Sequence, residues 1–206
     1  MISTDKKFIF IAVMKTGTMS ITNILNKYSI DKDGSHYTAS ELKNNVILSH
    51  SSKRMASKNP YIKLYKEKWN DFFTFGFVRN PWDHYVSLYK WCKKHNNPKA
   101  NFGFDLFLEN EYRNNFDILW DWNFINQSER LYEGDKQIVD FVGRFENIEK
   151  DFDFICETID VDETLPFINR SEDRREYKSF YKSKEQIKMI EEMYAKDLER
   201  FNYGFE

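Results

Sequence analysis

A strand–loop–helix pattern near the start is the feature that most constrains this chain. Seven apolar residues run without a break from Phe8 to Met14, which favours a strand buried on both faces. A short polar loop follows. Apolar residues then recur at the spacing of one helix face, at Ile21, Ile24, Leu25 and Tyr28. This order predicts an α/β arrangement for the first part of the chain.

The loop carries groups that suit an anion. Lys15 supplies a mobile positive charge, and Gly17 lets the backbone come close to a ligand. Hydroxyl donors are available from Thr16, Thr18 and Ser20. The N-terminus of the following helix adds unpaired N–H groups and the positive end of a dipole. We expect the loop to bind a phosphate or sulfate group.

The order of residues indicates which kind of anion. In nucleotide triphosphatases the lysine follows the glycine, whereas here Lys15 precedes Gly17. The order resembles the 5′-phosphosulfate loop of sulfotransferases that use 3′-phosphoadenylyl sulfate (PAPS). That resemblance implies a donor-binding set of Lys15, Thr16, Gly17, Thr18, Met19 and Ser20. Taken alone, the loop also fits an ordinary strand–turn–helix with an incidental lysine.

A second strand–loop–helix pattern lies near the middle of the chain. Phe72–Val78 is another apolar, aromatic and β-branched run, which predicts a buried strand. Asn80 suits the N-cap of a helix, and Pro81 suits its first position. Asp83 is favourable in the first turn. The helix is predicted to extend to Lys94.

Two side chains of this segment suit one phosphate. Arg79 follows the strand, and its planar guanidinium can bind phosphate through two parallel hydrogen bonds. Ser87 stands on the same side of the predicted helix as Asn80. The segment closely resembles the 3′-phosphate motif of the carbohydrate (Golgi-type, family 2) sulfotransferases, which implies that Arg79 and Ser87 bind the 3′-phosphate of PAPS. One difference is His84, where that family often has arginine.

The resemblance covers nearly the whole chain, since it also includes Phe141–Ile159, Leu165–Tyr181 and the closing pattern Asp197–Phe205. It implies one sulfotransferase domain over residues 1–206, with a P-loop-like three-layer fold. The alternation of strands and helices independently predicts an α/β fold, with a central parallel sheet flanked by helices.

Strand ends predict where the site lies. The predicted strands are Lys7–Val13, Val46–Leu48, Phe72–Val78 and Ile138–Phe145. One final amphipathic helix is predicted from Ile187, Ile190, Tyr194, Leu198 and Phe201. Ligands of such sheets bind beyond the carboxyl ends of the strands. Four side chains that end or follow strands are therefore expected at one edge: Lys15, His50, Arg79 and Arg144.

Composition excludes some classes of partner. The net charge is −2 and the isoelectric point is about 6.1, so the chain lacks the basic footprint of a nucleic-acid-binding protein. No apolar run is long enough to span a bilayer, and no signal peptide is recognised. We expect a soluble, cytoplasmic protein without a membrane anchor. The spacing of Cys and His predicts no metal site.

Sulfuryl transfer to a hydroxyl needs a base and a cation. His50 ends a short predicted strand, at the place where the resemblance implies the general base. Lys15 is expected to stabilise the leaving phosphate and the transferring sulfuryl group. Glu146 and Glu41 are the fallback bases. The resemblance implies PAPS as the donor, the spent donor adenosine 3′,5′-bisphosphate (PAP) as product, and a carbohydrate hydroxyl as acceptor.

Two other functions stay open at this point. A P-loop nucleotide kinase shares the α/β core, but it needs a magnesium site and the other order of lysine and glycine. A catalytically inactive PAP- or PAPS-binding module would keep the donor motifs and lack turnover.

Overall fold

The structure is a computed structural model that describes residues 1–31, 37–46, 59–113, 126–165 and 174–205. By internal contacts the chain forms two compact units. The first unit is Met1–Val78 with Ser128–Ile168, and the second is Arg79–Gln127 with Asn169–Glu206. The single domain over residues 1–206 stays a prediction.

The strands and helices follow the predicted alternation. The strands are β1 (Ile2–Ser3), β2 (Phe8–Ile11), β3 (Phe73–Val78), β4 (Tyr132–Glu133), β5 (Lys136–Gln137) and β6 (Phe141–Arg144). The α-helices are α1 (Thr18–Leu25), α2 (Ala39–Asn44), α3 (Ile62–Lys68), α4 (Pro81–Lys94), α5 (Phe104–Arg113), α6 (Ile148–Thr158), α7 (Lys184–Met193) and α8 (Ala195–Phe201). Short 3₁₀ turns are Asn26–Tyr28, Pro98–Phe102, Ser128–Arg130, Phe145–Asn147 and Arg174–Phe180.

The main sheet belongs to the first unit and is mixed. Among the described residues its strand order is β1-β2-β3-β6. Strands β2, β3 and β6 are parallel, with Ile11 opposite Gly76 and Val78 opposite Arg144. Strand β1 is antiparallel to β2, because a connection this short cannot make the crossover that a parallel pair needs. The α/β class is confirmed, and the expectation of a wholly parallel sheet was wrong at this edge.

Alternate residues of the parallel strands form one side of the core in the first unit. Phe8, Phe10, Phe75 and Phe77 are buried together with residues of α1 and α6. The rings of Phe10 and Phe75 stack with centroids 5.2 Å apart. Burial of each large apolar side chain stabilises the fold by about 1.5–3 kcal/mol. This packing fixes α1, and with it the loop that precedes α1, against the sheet.

The predicted final helix is two helices. Helix α7 ends at Met193, α8 begins at Ala195, and Tyr194 between them has φ −113° and ψ 24°. Tyr194 is fully buried, and its hydroxyl lies 3.2 Å from Nδ1 of His84 on α4. The helical spacing of apolar residues continues across the break, so apolar periodicity alone predicts one helix.

Only the first residue of the predicted strand Val46–Leu48 is among the described residues. Val46 is not in a strand, and the rest of that segment lies outside the described residues. The described helices include none that has both the length and the apolar character needed to cross a bilayer.

Candidate active site

The Lys15–Ser20 loop of the first unit turns sharply into α1. Lys15 has φ +64° and Gly17 has φ +84°, both in the left-handed region that L side chains rarely adopt. Gly17 is the N-cap of α1, and its carbonyl accepts hydrogen bonds from the N–H groups of Ser20 at 3.0 Å and Ile21 at 3.2 Å. Helix α1 therefore begins directly after the glycine, as the sequence pattern predicts to within one residue.

The two threonine hydroxyls of the loop face inward. Thr16 Oγ1 donates to the carbonyl of Val13 at 2.8 Å, and Thr18 Oγ1 donates to the same carbonyl. A hydroxyl has one proton to donate. In this conformation the hydroxyl protons of Thr16 and Thr18 therefore stabilise the turn. They are not available to donate to an anion, as had been expected.

The start of α1 adds backbone donors, because the first N–H groups of a helix have no partner within the helix. These groups open the N-terminus of α1, where the helix dipole favours negative charge. Lys15, which is half-buried, adds the formal positive charge. The loop thus has the chemistry of an anion site made mainly of backbone.

Gly17 is also required by the space around it. A Cβ atom at this position would collide with the side-chain end of Ile148 and approach the ring of Phe145 to 3.5 Å. Both residues belong to the junction between β6 and α6. Arg144 is the last residue of β6 and Lys15 follows β2, so both lie at the carboxyl ends of parallel strands in this unit. His50 lies outside the described residues.

The start of α4, in the second unit, has the predicted capping. Asn80 Oδ1 accepts a hydrogen bond from the N–H of Trp82 at 3.1 Å, and Pro81 is the first helical residue. Asn80 Nδ2 also donates to the carbonyl of Gly204 at 2.9 Å. The helix ends at Lys94, so both of its predicted bounds are confirmed.

Arg79 is held by an ion pair that was not predicted. Its Nε donates to Asp83 Oδ2 at 2.7 Å. The exposed fractions of the two side chains are 14% and 18%, so the pair is well shielded from solvent. Opposite charges four residues apart are neighbours on a helix surface, and that spacing could have identified the pair.

Asp83 and Ser87 lie four residues apart in α4 and therefore on neighbouring turns of one helix face. Arg79 precedes α4, and its ion pair with Asp83 holds the guanidinium beside the first turn of the helix. Ser87 is half-buried. The arrangement can present a planar cation and a hydroxyl near the start of α4.

A family model described as "Sulfotransferase family" matches residues 1–204. The match includes both the Lys15–Ser20 loop and the start of α4. The chain belongs to the sulfotransferase family. Its resemblance to the family 2 type is thereby confirmed, and sulfuryl transfer in general is supported. Searches among curated proteins and among solved structures gave no match.

His84 has a structural position in this sulfotransferase. The side chain is 1% exposed. Its ring meets that of Tyr194 edge to face, with centroids 5.8 Å apart, in addition to the contact with the hydroxyl. Burial, and next the charge of Asp197, raise the pKa of the Tyr194 hydroxyl. His84 therefore packs inside the second unit.

Glu41 is also used by the fold. It is 5% exposed, and its carboxylate accepts the N–H of Thr38 at 2.9 Å to complete a capping box at the start of α2. Burial lowers the pKa of Arg130, and the negative charge of Glu41 opposes that effect. A carboxylate committed to a cap and to a buried cation is poorly placed to accept a substrate proton. Of the fallback bases, Glu146 is half-buried in the turn after β6.

The part of the chain that the structure describes holds no group of three or more His, Cys, Asp or Glu side chains that could bind a metal ion. His36, like His50, falls outside that part.

Gln127 is a residue near the candidate site that was not predicted. Its side-chain amide forms hydrogen bonds with the backbone of Arg79. No local pattern could have found it, because the two residues are 48 positions apart.

Proposed function

We propose that this sulfotransferase moves a sulfuryl group from PAPS to an acceptor hydroxyl. The observation that carries the proposal is the family match over residues 1–204. The Lys15–Ser20 loop and the segment Arg79–Ser87 at the start of α4 support it, since each suits a phosphate of such a donor. The loop is proposed to bind the 5′-phosphosulfate, and Arg79 and Ser87 the 3′-phosphate.

The proposed reaction is a direct displacement at sulfur. The acceptor oxygen forms a bond to sulfur, while the bond from sulfur to the bridging oxygen of the 5′-phosphate breaks. His50 is proposed to take the hydroxyl proton, and PAP leaves with the bridging oxygen. Lys15 is proposed to stabilise the charge that develops on that oxygen.

The acceptor is proposed to be a hydroxyl of a carbohydrate. The support is the resemblance of the start of α4 to the carbohydrate branch of the family. We further propose a P-loop-like, three-layer core and a cytoplasmic location. Cys92 and Cys156 are buried thiols and not a disulfide, which suits a reducing compartment.

Donor binding tests the proposal most directly. Isothermal titration calorimetry should show PAP binding far more tightly than AMP or ATP with Mg²⁺. The Arg79→Ala change should weaken PAP binding by about ten- to a hundredfold, the loss of a charge-assisted hydrogen bond. It should leave AMP binding nearly unchanged, because AMP has no 3′-phosphate.

Arg113→Ala is the matched control. Arg113 also pairs with a carboxylate four residues away, Glu109, but its side chain is 74% exposed. The Arg113→Ala variant should bind PAP with the same affinity as the parent chain. Equal weakening of PAP and AMP by Arg79→Ala would remove the 3′-phosphate assignment, and a preference for ATP with Mg²⁺ would favour the kinase.

Turnover tests the base. His50→Ala should lower turnover by about 10²–10⁴-fold, the usual contribution of general base catalysis, with PAP affinity unchanged. His95→Ala is the control, since His95 is exposed on the second unit. The assay is release of PAP from PAPS with an acceptor or with water. Full turnover of His50→Ala would exclude His50 as the base, and PAP binding without any turnover in the parent chain would favour an inactive binding module.

A further inference from the structure

The backbone of Arg79 stands where two regular elements meet. Strand β3 ends at Val78 and α4 begins at Pro81, so the N–H and C=O of Arg79 need partners from elsewhere. Gln127 supplies both. The N–H of Arg79 donates to Gln127 Oε1 at 2.7 Å, and Gln127 Nε2 donates to the carbonyl of Arg79 at 2.7 Å.

Gln127 is itself fixed by a buried acid. The N–H of Gln127 donates to Asp197 Oδ2 at 2.8 Å. Gln127 is 1% exposed and Asp197 is 0% exposed. Asp197 lies in the first turn of α8. Three hydrogen bonds thus connect α8 to the backbone of Arg79 through one glutamine, all within the second unit.

The two bonds to Arg79 require a side-chain amide. A backbone N–H must donate and a backbone carbonyl must accept, so the partner needs one acceptor and one donor side by side. Glutamate lacks the donor when it is ionised, and methionine of similar length lacks both strong groups. The same requirement fixes which amide atom is oxygen and which is nitrogen.

We propose that Gln127 is a positioning residue for Arg79, and that Asp197 supports it by holding Gln127. The proposal rests on the assignment of Arg79 to the 3′-phosphate. Asp83 orients the guanidinium at one end of the residue, and Gln127 fixes the backbone at the other. A shift of Arg79 by about 1 Å is enough to misplace a phosphate contact.

The experiment measures affinity for PAP and AMP in Gln127→Met. Loss of the two hydrogen bonds should weaken PAP binding by about tenfold. AMP binding should change by less than about twofold, because AMP does not use Arg79. A purely structural role of Gln127 would weaken both nucleotides together, so equal weakening overturns the proposal. Unchanged PAP binding also overturns it.

A double-mutant cycle tests whether Gln127 acts through Arg79. In an Arg79→Ala background, Gln127→Met should cause no further loss of PAP affinity, since the contact that it positions is already gone. A full additional loss there overturns the proposal. If Arg79→Ala loses PAP binding selectively and Gln127→Met does not, the proposal alone fails. If Arg79→Ala shows no selectivity, the 3′-phosphate assignment fails and the proposal fails with it.

Two further variants keep the test usable if Gln127→Met does not fold. Gln127→Asn keeps both polar groups on a side chain one methylene shorter, and it should still weaken PAP selectively. At pH 8 the Gln127→Glu variant should bind PAP more weakly than the parent chain. The ratio of the two PAP affinities should approach one as the pH falls, because a protonated carboxyl regains a donor for the Arg79 carbonyl. A ratio that is independent of pH overturns the proposal.

Discussion

The Lys15–Ser20 loop and the start of α4 show two ways to build a site for a charged oxygen ligand. In the loop the hydroxyls of Thr16 and Thr18 both donate hydrogen bonds to the carbonyl of Val13. The first N–H groups of α1 remain as the backbone donors of the loop. The ligand chemistry of the loop therefore depends on backbone conformation, and Lys15 is the main side chain that contributes to it.

The start of α4 depends on side chains. Its cation is the guanidinium of Arg79, oriented by Asp83, and its hydroxyl is that of Ser87. Such a site fails when any group that holds the side chains is altered, whereas a backbone site fails when the turn itself is altered. The comparison predicts different patterns of loss in the two regions, from the largest effect to the smallest.

Lys15→Ala should have the largest effect. It should lower turnover by about 10²–10³-fold and weaken PAPS binding as well, because the charge acts on the donor and on the transition state. Initial rates at varied PAPS separate the two effects. A normal turnover number would show that backbone N–H groups suffice in the loop.

Gly17→Ala should damage both folding and binding. An L residue in the left-handed region costs about 1–2 kcal/mol, and the new Cβ must also displace Ile148. Gly134→Ala is the control, because Gly134 has φ +59° and no atom within 4 Å of an added Cβ. Urea unfolding should show a smaller loss for Gly134→Ala, with PAP binding unchanged. Equal losses in the two variants would contradict the crowding at Gly17.

Arg79→Lys should separate charge from geometry. Lysine keeps the positive charge but loses the planar fork, so PAP affinity should fall by about tenfold. AMP affinity should stay the same. Calorimetry with both nucleotides is the measurement, and parent-like PAP affinity would mean that only charge matters at this position.

Ser87→Ala should have a smaller effect of the same kind. Removal of one hydroxyl contact to phosphate should weaken PAP by about three- to tenfold, with little change in AMP affinity. The thermal midpoint should hardly change, because Ser87 is only half-buried. Loss of stability without loss of PAP affinity would remove Ser87 from the site.

Thr16→Val should change donor affinity least. The hydroxyl of this fully buried residue bonds to Val13, so its removal should lower the free energy of unfolding by about 1 kcal/mol. PAP affinity should change by less than about twofold. A tenfold loss of PAP affinity at full stability would show that the Thr16 hydroxyl turns to the ligand, and the loop would then resemble the start of α4.

The local features of this protein could be predicted from the order of its residues. The strand–loop–helix unit around Gly17 and the capped helix from Pro81 to Lys94 could both be predicted, because caps, turns and apolar periodicity act over a few residues. The functional class came from the same two segments. These features depend on neighbours along the chain, so a single sequence displays them directly.

Other features depend on contacts that no local pattern displays. Gln127 bonds to Arg79 across 48 positions, and His84 lies against Tyr194 across 110 positions. The break between α7 and α8 falls at this same Tyr194. A buried polar group must form a hydrogen bond with whichever partner folding brings near it. That partner cannot be predicted from the residues next to it in the chain.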